Sequence, residues 1–209
     1  MAKQSLPYQA HPWHGISSGP DAPRIVNCYI EIVPTDAVKY EVDKETGHLK
    51  VDRPQKYSNQ CPTLYGFIPQ TFCNQRVGSF CAECTGRSGI AGDGDPLDIC
   101  VLTEKPITHG DILVRAIPIG GLRMIDGNQA DDKIIGVLYE DIVYGTWRDV
   151  SDCPDTVLDR LRHYFLTYKD LPGTAKRRVE VAAVYGRDEA MKVIGLSVED
   201  YWEAFPIDS

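Results

Sequence analysis

Most of the sequence before residue 140 shows the patterns of short β-strands, and helical patterns follow residue 154. This order of elements is the feature that most limits which folds the chain can adopt. Residues 28–33 form a dense apolar run, whereas 38–42 and 49–53 alternate apolar with polar residues. A turn with a glycine at 44–47 joins the two alternating segments, so a β-hairpin is predicted there.

Three further strands are predicted at 98–103, 112–118 and 134–139, where apolar residues lie between turns rich in proline, glycine and aspartate. Five or more short strands with irregular links favour a small closed β-barrel. Residues 75–92 hold four glycines and little periodicity, which predicts a long exposed loop inserted between strands.

After Pro154 the apolar residues recur at steps of three and four, which predicts a helix opened by that proline at its first position. This stripe is typical of packing against a barrel. A short strand at 179–185 and a second helix from about residue 188 complete the pattern, so two helices are expected to flank the barrel.

The length of 209 residues fits a single domain, 1–209, with residues 1–26 as an N-terminal extension. The net charge of −8 disfavours a nucleic-acid partner, because such binders usually carry a basic face. A membrane partner is not expected either, since no run of about 20 apolar residues exists. The first residues carry no apolar segment of a secretory signal, which predicts a cytoplasmic location.

The odd number of cysteines, seven, suits reduced thiols in a reducing compartment. Cys81 and Cys84 have the spacing of metal ligands, but no second close pair accompanies them. The sequence leaves two interpretations of this pair open, unpaired loop thiols or a structural metal site.

The most informative segment is an acidic loop directly before a predicted strand, with Asp93, Asp95 and Asp98 separated by glycine and proline. Carboxylates this close repel one another, so such a loop costs stability unless cations neutralise it. Glycine and proline allow the tight turn that brings the carboxylates together. A divalent-cation site is therefore predicted.

Three other interpretations of this acidic loop fit less well. An EF-hand would need glycine where Asp98 stands and a helix after the loop. An aspartyl-phosphate enzyme would place its nucleophile after a hydrophobic strand, and residues 88–92 are not one. An acidic surface turn would leave the density of carboxylates unexplained.

A second acidic segment, 126–133, lies between two predicted strands and contributes Asp126 and Asp131. Together with the first loop it could build a cluster of several metals. Cationic and phenolic groups able to hold phosphate oxygens are also present, at Lys39, Arg53, Tyr65, Lys133, Tyr168 and Lys169.

The segment 93–98 resembles the signature of the soluble, magnesium-dependent (family I) inorganic pyrophosphatases. Further blocks resemble that family in the family's order, at 30–32, 39–41, 51–53, 65–68, 126–133 and 163–170. The resemblance covers about residue 27 to the C-terminus except 75–92. It implies an α+β fold, namely a five-stranded OB-like closed β-barrel with flanking α-helices. It also implies Mg²⁺-dependent hydrolysis of pyrophosphate by a homo-oligomer, with a hexamer favoured over a dimer.

The resemblance also implies a role for each matching residue. The metal ligands are Asp93, Asp98, Asp126 and Asp131, and several Mg²⁺ ions are expected in one site. Asp95 matches the general base that activates water. The groups that hold the two phosphoryl units are Lys39, Arg53, Tyr65, Lys133, Tyr168 and Lys169. Glu31 and Glu41 match outer carboxylates that act on the metals mostly through water.

One departure from the family pattern concerns Cys61, which stands where the family usually has a tyrosine, so one phenolic contact is missing or is supplied elsewhere. The residues themselves also allow functions of other classes. An OB-type barrel can be a binding module for nucleic acid or another ligand. A metal-stabilised structural protein would use the acidic loops without turnover. Only the enzyme predicts phosphate release that depends on magnesium.

Overall fold

The computed structural model describes residues 9–169 and 178–206, which form an α+β fold of ten strands and three helices. The strands are β1 (Val26–Ile32), β2 (Val38–Val42), β3 (Leu49–Pro54), β4 (Leu64–Phe67), β5 (Ala91–Gly92), β6 (Asp98–Leu102), β7 (Ile112–Asp126), β8 (Gln129–Ala130), β9 (Lys133–Leu138) and β10 (Val179–Gly186). The helices are α1 (Gln75–Thr85), α2 (Asp155–Thr167) and α3 (Arg187–Ala204).

Five strands form a closed ring of pairings, β1–β4–β6–β9–β7 and back to β1. The ring is antiparallel except for β6 and β9, which run parallel. Its apolar side chains, such as Ile30, Leu64, Ile99 and Ile134, are fully buried in a common core. The predicted five-stranded closed architecture with flanking helices is confirmed by these pairings.

The longest strand, β7, joins the ring to the rest of the sheet. Its first half pairs with β1, its middle with β9, and its second half with β10. The predicted strand ended at Pro118, whereas β7 continues to Asp126. Pro118 is tolerated because it lies at a register shift, where a missing backbone donor costs little.

The predicted hairpin is confirmed: β2 pairs antiparallel with β3 as a separate two-stranded sheet. Its turn closes through Gly47, whose φ of +74° is a conformation that glycine adopts without strain. The hairpin carries Lys39 and Glu41 on one side, 3.0 Å apart between Nζ and Oε2.

The two helices predicted from periodicity are also present. α2 buries Leu158, Leu161 and Phe165 of its apolar stripe, and each such side chain stabilises the fold by about 1.5–3 kcal/mol. Pro154 lies at the N-cap rather than at the first helical position. α3 begins at Arg187, and the acidic residues of its first turn are favourable beside the positive end of the helix dipole.

The expectation of a long exposed loop at 75–92 is wrong, because most of this segment is the helix α1. The N-cap residue Asn74, directly before the helix, makes no capping hydrogen bond with its side chain. Asp200 of α3 accepts instead from the backbone N–H groups of Asn74, Arg76 and Val77 at 3.1–3.2 Å. The cap thus comes from more than 120 residues away, which no local pattern in the sequence reveals.

The N-terminal segment that precedes β1 packs onto the fold. Trp13 is buried, donates from Nε1 to the carbonyl of Thr71 at 2.8 Å, and contacts the rings of Tyr201 and Phe205. None of the helices in the described part of the chain is long and apolar enough to cross a membrane.

The Asp200 cap makes a prediction about stability. Asp200 is 2% exposed, and Asp200→Ala leaves the backbone N–H groups at the start of α1 without their acceptor and takes one of its carboxylate partners from Arg76. We expect the free energy of unfolding to fall by about 3 kcal/mol in urea denaturation followed by circular dichroism. The matched control is Glu199→Ala, whose carboxylate is 63% exposed beside the same arginine and should cost less than about 1 kcal/mol. Equal losses in the two variants would contradict the cap.

Candidate active site

One cavity of about 140 Å³ at the edge of the ring gathers most of the predicted site residues. Its lining includes Lys39, Tyr65, Asp93, Asp95, Asp98, Asp131, Lys133, Tyr168 and Lys169. A smaller neighbouring cavity, of about 90 Å³, shares Asp95 and Asp98 with the first and adds Glu31 and Glu41. Segments far apart in the chain therefore converge on one place.

The centre of this site is Lys133, whose side chain is 4% exposed. Asp98 and Lys133 are direct partners in the parallel β6–β9 ladder, so their side chains lie on the same face. Lys133 Nζ donates to Asp98 Oδ2 and to Asp131 Oδ1. Burial alone would lower the pKa of Lys133, but Asp131 and Asp98 hold it well above its ordinary value. The lysine is therefore a buried permanent cation.

The carboxylates around Lys133 carry more negative charge than one lysine balances. Burial, and then the charge of Asp131, raises the pKa of Asp93 to about 8. Burial also raises the pKa of Asp131, and Lys133 opposes this shift. A partly buried set of acids that resists ionisation is an environment that gains from an additional cation.

The donor set of this site fits magnesium. Carboxylate oxygens are the hard ligands that Mg²⁺ prefers, and Asp93, Asp98 and Asp131 line the same cavity. Within residues 9–169 and 178–206, no three His, Cys, Asp or Glu side chains are close enough together to coordinate a metal as they stand. Lys133 lies between Asp98 and Asp131 and contacts both. To bind a metal, Asp98 and Asp131 would therefore have to rotate so that some of their oxygen atoms face the ion rather than Lys133.

Asp95 lies at the mouth of the cavity on the loop between β5 and β6. Its backbone N–H donates to Asp93 Oδ1 at 3.0 Å, and its carbonyl accepts from the backbone of Cys73 at 2.8 Å. The side chain is 47% exposed and its Oδ1 accepts from Lys44 of the β2–β3 turn. The loop backbone is thus fixed while the carboxylate stays within reach of solvent.

The cationic residues surround the cavity on two sides. Lys39 is held by Glu41 and Asp52, each 3.0 Å from Nζ, and these neighbours raise its pKa against the opposing effect of burial. Arg53 contacts Asp52 at 2.5 Å and lines a separate cavity of about 440 Å³ with Lys56, Lys169 and Arg178. Arg53 therefore lies beside the carboxylate cavity and does not line it.

Asp126 likewise lies outside the lining of the two carboxylate cavities. Its Oδ2 is 2.7 Å from Lys169 Nζ and its Oδ1 is 2.5 Å from Arg178 Nε. Burial alone would raise the pKa of Asp126, but Lys169 and Arg178 lower it. Through Lys169 this carboxylate is linked to the cavity.

Phenol groups complete the lining. Tyr65 OH donates to Asp98 Oδ2 at 2.6 Å, and burial followed by the charge of Asp98 raises its pKa well above the ordinary value. The ring of Tyr168 stacks on Tyr164, with centroids 5.3 Å apart. Glu31 accepts from the backbone of Val42 at 2.7 Å, and burial raises its pKa to about 8.

Several residues at the site were missed by the sequence reasoning. Tyr164 lines the cavity beside Tyr168, although its helical spacing assigned it to the core stripe. Cys61 is buried in the same core cluster as Tyr164 of α2. Lys44, Lys56 and Arg178 lie at the rims, and nothing in their local sequence distinguishes them from solvated lysines and arginines.

The Cys81–Cys84 pair lies on α1 rather than in a loop. Cys81 faces the core and Cys84 is exposed, so the two thiols of this pair point to different surroundings. All seven cysteines are free thiols. The interpretation as unpaired thiols holds, with the loop replaced by a helix.

Comparison with known proteins places this geometry in a family. The model of the family described as inorganic pyrophosphatase matches residues 28–202. The inorganic pyrophosphatase of Chlamydia trachomatis is 55% identical over 200 residues, which cover 94% of this chain and 96% of that protein. The soluble inorganic pyrophosphatase of Oryza sativa is 38% identical over 96% of this chain and 83% of its own length.

Solved structures agree with the sequence relatives. The crystal structure of inorganic pyrophosphatase from Thermus thermophilus superposes with a TM-score of 0.76 at 30% identity, covering 92% of this chain and 99% of that one. By the span of the family match and the identity to these relatives, this chain is a member of the inorganic pyrophosphatase family.

Proposed function

We propose that the protein hydrolyses inorganic pyrophosphate to two phosphates with the help of bound Mg²⁺. The observation that carries this proposal is the acidic cavity built around Lys133, in which Asp93, Asp98 and Asp131 meet with cations on either side. Such a site suits a small, highly anionic substrate that arrives with divalent cations. Family membership supports the same reaction.

The residues proposed to hold magnesium are Asp93, Asp98 and Asp131, with Asp126 at the side of Lys169 as a further carboxylate. Glu31 and Glu41 line the adjoining cavity and are proposed to act on the ions through water. When bound, Mg²⁺ neutralises substrate charge and makes a coordinated water a stronger acid.

The protein groups have distinct proposed tasks in the reaction. Asp95, exposed at the mouth and free of Lys133, is proposed to orient the attacking water and to accept its proton at a carboxylate oxygen. Lys39, Arg53, Lys133 and Lys169 hold phosphoryl oxygens and balance the charge that develops on the leaving phosphate. Tyr65 and Tyr168 donate hydrogen bonds without adding charge.

We also propose that the chain, as one domain, forms a homo-oligomer, a hexamer rather than a dimer, and is located in the cytoplasm. The first proposal extends the family resemblance, and sedimentation equilibrium can test it by mass. The second is supported by the seven free thiols, which suit a reducing compartment.

The proposed reaction is tested by phosphate release from pyrophosphate in the presence of magnesium. We expect turnover with Mg²⁺ and none after a chelator removes it. Asp131→Asn should lower the rate at limiting Mg²⁺ by about 100-fold or more, with partial recovery at high Mg²⁺, because a metal ligand has been lost. Asp159→Asn is the control, since this carboxylate is 65% exposed on α2 and should not matter. Binding of pyrophosphate without turnover would favour a binding module or a structural metal protein.

The role of Asp95 has its own prediction. Asp95→Asn keeps the size of the side chain but removes its ability to accept a proton, so kcat should fall by about 10²–10⁴-fold. Magnesium binding, measured by isothermal titration calorimetry, should stay close to that of the parent protein. A variant that keeps the parent kcat would show that another group activates the water.

A further inference from the structure

We propose that Lys44 is a positioning residue that holds the carboxylate of Asp95 for catalysis. The inference rests on the proposed function. It starts from a contact between two elements that are far apart in the chain: Lys44 Nζ of the β2–β3 turn donates to Asp95 Oδ1 of the acidic loop before β6. No donor among residues 9–169 and 178–206 contacts Oδ2, which leaves that oxygen for water.

The turn that carries Lys44 is fixed from within. The carboxylate of Asp43 accepts from the backbone N–H and the hydroxyl of Thr46 at 3.0 and 2.9 Å, and from Lys50 at 2.9 Å. The backbone of Asp43 bonds to His48 and Gly47, each at 2.8 Å. A turn bonded in this way presents its lysine from a defined position.

The N-terminal segment fixes the same turn from outside. His11 lies 3.2 Å from the carbonyl of Lys44 through Nε2. At Gly47 a Cβ would lie 2.8 Å from the His11 ring, so the imidazole packs directly on the turn. The backbone of the turn at Lys44 is therefore held on both sides, and from this fixed position the lysine side chain extends to the acidic loop.

Folding stability does not explain the contact. The side chains of Lys44 and Asp95 are 44% and 47% exposed, and ion pairs with that exposure contribute little to stability. The turn has its own internal bonds through Asp43 and does not need this pair to form. What the pair does provide is a fixed orientation for a carboxylate that is otherwise free to rotate in solvent.

Direct contact with the substrate is the competing explanation, and the cavities speak against it. Of the two carboxylate cavities, Lys44 lines the smaller one, beside Glu31 and Glu41. The larger one, where Lys133 and Lys169 lie, does not include Lys44. Asp95 lines both cavities and is the residue to which Lys44 donates, so an effect of Lys44 on the reaction would pass through Asp95.

The experiment measures kcat and KM for magnesium pyrophosphate in Lys44→Met, Lys44→Arg and the control Lys105→Met. A misplaced catalytic group can cost large factors in rate, so we expect Lys44→Met to lower kcat by about tenfold or more with KM within about twofold. Lys44→Arg keeps a donating cation and should recover kcat to within about threefold of the parent. Lys105→Met removes a lysine that is 81% exposed and lies outside this turn, and it should keep the parent kcat.

A double-mutant cycle with Asp95→Ala decides whether Lys44 acts through Asp95. If it does, Lys44→Met should change kcat by less than about twofold in the Asp95→Ala background. The inference is overturned by an undiminished kcat, by a rise in KM alone, by additive losses in the cycle, or by an equal loss in Lys105→Met. A parent protein without turnover would instead overturn the proposed function, which the parent assay reports separately.

Discussion

The candidate site depends on one buried ion group, in which Lys133 lies between Asp98 and Asp131. The Lys133 side chain is 4% exposed, and its ammonium group keeps together carboxylates that would otherwise repel one another. The same closeness makes these carboxylates suitable for magnesium. Stability and the proposed chemistry therefore place opposing demands on the same oxygen atoms.

The strand ring creates this ion group. The parallel pairing of β6 with β9 sets Asp98 directly beside Lys133, and Asp131, two residues earlier in the chain, points to the same side. β4 is the other neighbour of β6 and brings Tyr65 to Asp98. The end of α2 adds Tyr168 and Lys169 from outside the ring. A change of one residue in the β6–β9 register would turn the lysine away from the acids.

Much of this arrangement follows from local sequence patterns. Alternation predicted the β2–β3 hairpin, and apolar runs between turns predicted β1, β6, β7 and β9 of the ring but not the short β4. The density of carboxylates at 93–98 indicated a cation site, because such a cluster is unfavourable without one. The features that were missed depend on distant partners. The start of α1 is capped by the carboxylate of Asp200 in α3. β7 continues beyond Pro118 because a register shift in its pairing with β9 accommodates the proline. Lys44 contacts Asp95 only when the β2–β3 hairpin is packed against the acidic loop. Contacts of this kind have no signature within a short window of sequence.

The central claim, that Lys133 neutralises the same carboxylates that would bind magnesium, is tested most directly by the unfolding free energy of Lys133→Met with and without Mg²⁺. In a chelator the variant should lose about 3 kcal/mol relative to the parent, because Asp98 and Asp131, 23% and 14% exposed, are left side by side without a cation. Mg²⁺ should then stabilise the variant more than it stabilises the parent. Lys105→Met, which removes a lysine that is 81% exposed, should behave as the parent does. Equal stability of Lys133→Met and the parent in the chelator, with the same response of both to Mg²⁺, would contradict the account.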